Sequence, residues 1–174
     1  MRPAFLYWMA ASLLIGVVWA ALLPRDNGQS RRKRLISIAL VGLTIALLSV
    51  GVVSHTLIRH LVQVTPPVVA LVVVARRPSL GTAAAIPLFT FWLGLMILIW
   101  LFLLDLVRLI SGHFTTTEIA LTIVIALMCS LGLLGAARSR SSLGAATRVG
   151  IAVLFACLQA GALVISMQPF AIFR

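Results

Sequence analysis

Long apolar runs alternate with short polar clusters along the whole chain. The most apolar run is Ile86 to Leu109, IPLFTFWLGLMILIWLFLLDLVRL, which carries no charge before Asp105. A helix rises about 1.5 Å per residue, so roughly twenty such residues cross the ~30 Å hydrocarbon core of a bilayer. Further runs cover Ala4 to Leu23, Leu35 to Ser54, Leu61 to Ala75, Ile119 to Ala137 and Val149 to Met167. The pattern predicts an all-α fold, a polytopic transmembrane helical bundle of about six spans, forming a single integral membrane domain over residues 1–174. The third run is the irregular one. HTLIRHLVQVTPP leads into it, and Pro66-Pro67 is expected to break a continuous helix, because neither proline donates a backbone hydrogen bond. That leaves a short, proline-interrupted third span of about fifteen residues.

Composition agrees with this pattern. The chain is 62% hydrophobic and 10% charged, with a mean hydropathy of +1.18, and cannot supply the polar surface of a water-soluble domain. The net charge of +11 suggests nucleic acid until the positions are read. The bases sit in short clusters between apolar runs, as cytoplasmic anchors do, so no nucleic-acid partner is expected. The cluster Arg25, Arg31, Arg32, Lys33 and Arg34 follows the first run at once and resists export, so that run is expected to be a retained span rather than a cleaved signal.

Counting bases orients the bundle. With six crossings, Arg25, Arg31, Arg32, Lys33, Arg34, Arg76, Arg77, Arg138, Arg140 and Arg148 fall inside, and Arg2, Arg59, Arg108 and Arg174 outside. A re-entrant third segment would split the fourteen bases seven against seven, so the charge bias favours crossing. Both termini are then expected outside, in a membrane of the bacterial inner-membrane kind.

Small residues recur at helical spacing: Ser12, Gly16 and Ala20; Ala126 and Ser130; Ala152, Ala156 and Ala160. Such faces let helix backbones approach closely in lipid, or offer a surface to a partner. Cys129 and Cys157 fall inside apolar runs and are expected to be small buried residues. ARRPSLGTAAA and ARSRSSLGAAT share a low-information string that is not read as a duplication.

The predicted topology gathers the remaining ionisable groups on the outer side. His55, Arg59, His60 and Gln63 lie after the second span, Asp105, Arg108 and His113 at the end of the fourth, and Glu118 before the fifth. Polar groups near a membrane are costly unless paired, which makes this outer-face layer the candidate site. Asp105 and Arg108 stand three apart and can pair locally. Thr115 to Glu118 offers hydroxyls and an acid to the start of the fifth helix. His55 and His60, five apart, are poorly placed for one helical face, so no metal and no cofactor is expected. HExxH, GxSxG, P-loop and dinucleotide motifs are missing and only three acids exist, so an enzyme is not expected. The reading is a non-catalytic accessory or assembly subunit, with membrane lipids and another membrane subunit as partners. The alternative is a small transporter or lipid-handling protein using the outer layer.

Overall fold

The computed structural model describes residues 3–23, 33–108, 114–139 and 141–168. These form α1 (Pro3–Leu22), α2 (Lys33–Val53), α3 (Leu57–Arg76), α4 (Pro78–Leu103), α5 (Thr116–Ala137) and α6 (Ala145–Ser166). Each of the six is long and apolar enough to cross a membrane. The outside of the bundle is covered with large apolar side chains, among them Leu14, Ile15, Ile45, Leu127 and Val164. In water such a surface would aggregate; in lipid it is the solvated face.

The helix at the centre is α4, which touches all five others. Ile86, Leu88, Phe89, Phe91 and Leu98 are fully buried on it, so its uniform apolarity reflects neighbours on every side. Small residues set how closely those neighbours approach. Gly16 of α1 lies against Pro87 and Thr90, and Gly94 receives the Ser12 hydroxyl. The Trp8 indole N–H donates to the Gly94 carbonyl at 2.8 Å, and the Ser12 hydroxyl donates to the Trp8 carbonyl at 3.0 Å. Gly132 of α5 sits beneath the Phe89 ring, and Gly42 of α2 beneath Met128. The small faces of the sequence are mostly spent inside: Ser12, Gly16, Ala20, Ala126, Ala152 and Ala156 are buried, whereas Ser130 is exposed.

Several expectations are corrected. The third span is a continuous helix of 20 residues that runs through Pro66 and Pro67. The two prolines deprive only the Val62 and Gln63 carbonyls of their helical donors. Both prolines are buried, and α3 is held by α2, α4 and α6, which fix the segment as neighbours do for prolines in membrane helices. The fourth helix begins at Pro78 and ends at Leu103 instead of covering Ile86 to Leu109. Pro78 suits a first helical turn, where its missing N–H would have no partner, and Arg77 alone separates α3 from α4. Gly81 makes so tight a hairpin possible, since a side chain there would run into the Val74 backbone. Cys129 is buried as expected, but Cys157 is exposed on the outer face of α6.

Gly16→Ala should lower the thermal unfolding midpoint in detergent, at about 1–3 kcal/mol for an overpacked contact. Gly150→Ala, where an added methyl meets nothing within 4 Å, should leave the midpoint unchanged or raise it.

Candidate functional site

The α2–α3 connection is Ser54-His55-Thr56. Its chain reversal is closed by the Thr56 N–H donating to the Gly51 carbonyl at 2.8 Å, with His55 in the left-handed region at φ 55°, where His is better tolerated than bulkier residues. The Ser54 and Thr56 hydroxyls lie 2.6 Å apart. His60, one turn into α3, places Nδ1 3.1 Å from the Thr56 carbonyl oxygen. The same Nδ1 lies 3.2 Å from the Thr56 hydroxyl, so Thr56 holds the ring through both of its oxygens. Gly51 makes room for the ring, since a Cβ there would lie 2.8 Å from His60 Cβ.

Two further groups of α3 reach across to the end of α6. Arg59 Nε donates to the Ser166 carbonyl at 3.3 Å, and Gln63 Nε2 donates to the Ser166 hydroxyl at 2.9 Å. That hydroxyl in turn donates to the Leu163 carbonyl at 2.7 Å. Ser166 is wholly buried and Gln63 nearly so, and this short network ties α3 to α6, with the Ser166 hydroxyl both accepting and donating.

These side chains border a cavity of about 290 Å³ at this end of the bundle. Ser54, Thr56, Arg59, His60 and Gln63 line one side, and Glu118 and Thr122 of α5 another. Apolar and polarisable side chains complete the wall: Trp92, Met96 and Ile99 of α4, with Leu163 of α6. Phe5 of α1 and Met167 after α6 also line it, so the described beginning and end of the chain share this end. The indole N–H of the buried Trp92 has no hydrogen-bond partner among the described residues.

Charge within the cavity is lopsided. Glu118 accepts the Thr115 backbone N–H at 2.7 Å and the Thr115 hydroxyl at 2.9 Å, while the Glu118 N–H donates back to the Thr115 hydroxyl at 3.3 Å. The carboxylate is thereby engaged in a capping box, favoured by the positive end of the helix dipole. Arg59 has only the Ser166 carbonyl as a partner and no ion pair among the described residues. A guanidinium with free N–H donors beside hydroxyls, an amide and an imidazole suits a phosphate or carboxylate.

No family model matches the chain, and neither a curated protein nor a solved structure does. The assignment therefore rests on the geometry.

That geometry divides the predicted layer. Arg59, His60, Gln63 and Glu118 meet at the cavity. His55 is exposed at the turn and does not line it. Asp105 and Arg108 lie beyond the end of α4, where Asp105 adopts φ 57°. Arg108 Nε and Nη2 each donate to an Asp105 carboxylate oxygen at 3.1 Å. Both side chains are about three-quarters exposed, at 77% and 74%, so the pair is a surface contact of small energetic weight. His113 lies outside the described residues. Among the described residues no group of three His, Cys, Asp or Glu side chains could hold a metal.

Sequence reading missed Ser166, Thr122 and Trp92, and also the buried polar groups elsewhere on α6. Arg148, at the opposite end, is buried and its Nη1 donates to the Leu23 carbonyl at the end of α1. Gln159 is wholly buried, and neither its amide oxygen nor its nitrogen has a partner among the described residues. A glutamine inside an otherwise apolar run was the available signal.

Gln159→Leu should hold or raise thermal stability in detergent, because an unpaired buried amide costs about 1–3 kcal/mol. A loss above about 1 kcal/mol would show that the amide is satisfied in the folded bundle.

Proposed function

We propose that this integral membrane protein is a lipid-handling protein that holds the anionic headgroup of an amphiphile in the cavity at the Ser54–Thr56 end. The observation that carries this reading is Arg59, which borders a cavity of headgroup size without an acidic partner among the described residues. A volume of about 290 Å³ stands at the lower end of small-molecule sites, and its wall joins charged and polar side chains to apolar ones. By the distribution of Arg and Lys, this end faces the outside of a bacterial inner membrane and both termini lie outside.

An accessory or assembly-subunit role is the alternative proposal. It rests on little polarity within the spans, the missing catalytic motifs and the small-residue faces, and most of these faces are filled by contacts within the bundle. A second polypeptide that co-purifies under gentle extraction would favour it.

Native mass spectrometry of the detergent-purified chain titrated with phosphatidylglycerol tests the lipid reading. Arg59→Ala should weaken lipid attachment about fivefold, as expected for one basic group near an anionic headgroup. Asp105→Asn should leave it unchanged, because Asp105 is outside the cavity. Equal losses in both variants, or none in Arg59→Ala, would contradict the assignment.

A further inference from the structure

On the lipid-facing side of the α3–α6 seam lies an apolar groove of about 390 Å³. Val62, Pro66 and Val69 line it from α3, and Leu158, Gly161 and Ile165 from α6. At about 100° per residue, Arg59 stands on α3 between the face that lines this groove and the face, carrying His60 and Gln63, that lines the cavity. Ser166 holds the equivalent place on α6, between Ile165 on the groove side and Leu163 and Met167 on the cavity side. The groove and the cavity thus lie on opposite sides of one seam, closed by the bonds of Arg59 and Gln63 to Ser166.

We infer that the groove seats one acyl chain of an anionic phospholipid whose phosphate engages Arg59, so that the cavity is reached from the bilayer sideways, between α3 and α6. The inference rests on the cavity reading above and adds the lipid class and its route. Charge complementarity picks the occupant: Arg59, with no ion pair among the described residues, stands about one turn of α3 from Val62 at the end of a groove with almost wholly apolar walls, in a surface that bilayer lipid covers. Pro66 lines the groove and leaves the Val62 carbonyl beside it without its helical donor. Gly161 lines the groove where an added Cβ would meet nothing within 4 Å, so a large side chain there would extend into open space.

The test uses the full chain in nanodiscs with phosphatidylglycerol carrying a photoactivatable group in its acyl chain, and phosphatidylcholine with the same chain. Adducts should concentrate on residues 62–69 and 154–165, with about a fivefold preference for phosphatidylglycerol, the effect of one basic residue. Gly161→Phe, which plugs the groove, should reduce those adducts at least as much, and Gly161→Leu gives the same direction with a smaller plug should the Phe variant fail to assemble. Arg59→Ala should erase the headgroup preference while acyl adducts persist. Adducts spread evenly over all lipid-facing helices, or unchanged in both Gly161 variants, would overturn the groove. If Arg59→Ala still weakens phosphatidylglycerol attachment by native mass spectrometry in that event, the cavity reading stands without the groove. If it does not, both fall.

Discussion

In hydrocarbon, two apolar helices gain nothing from hiding their side chains from a solvent that is equally apolar. What remains is close packing and the few hydrogen bonds that can be made across the contact. The bundle depends on that constraint at α4. Gly16, Gly94 and Gly132 let α1, α4 and α5 approach until backbone and side chain touch, and Trp8 and Ser12 spend their donors on carbonyls at the same contact. With α4 so enclosed, the other helices arrange around it, and the outer surface is left to lipid.

The same constraint explains why one end of the bundle is the interesting one. A buried polar group in a membrane must find a partner or face water. At the Leu23 end, the buried Arg148 donates from Nη1 to the Leu23 carbonyl just past α1, beside the negative end of that helix, while its Nε has no partner among the described residues. At the other end the polar groups are spread around a cavity and only partly engaged. Gln63 donates to Ser166 and His60 is held by Thr56, while Arg59 spends one donor on a carbonyl and has no ion pair among the described residues. A site that binds an anion requires that imbalance.

The spans were legible because apolar length is nearly sufficient to specify a membrane helix, and five of the six runs lie close to the observed elements. The fourth was shifted because hydropathy follows apolarity, whereas Pro78 to Ala85 is helical through small residues packed in the interior. The third was misjudged because propensity was weighed without neighbours, and tertiary contact carries a helix through Pro66 and Pro67. At the site, topology alone brought Arg59, His60, Gln63 and Glu118 to one end. Which of the charged residues faced inward was illegible, since that depends on where α4 stops. Ending at Leu103, it puts Asp105 and Arg108 beyond the bundle, paired with each other. Ser166 and Thr122 carried no signal, because a hydroxyl inside an apolar run more often bonds its own helix than a neighbour.

Side-specific accessibility of position 60 tests the central claim most directly. In a background with Cys129 and Cys157 replaced by Ala, His60→Cys is treated with a membrane-impermeant maleimide in sealed vesicles of known orientation, beside His55→Cys as the reporter for that end. The account predicts that both thiols react from the same side, and that phosphatidylglycerol slows His60→Cys while leaving His55→Cys unaffected. A His60→Cys thiol that stays inert while His55→Cys reacts, or that reacts equally with and without the lipid, would contradict a water-reached headgroup site at this end.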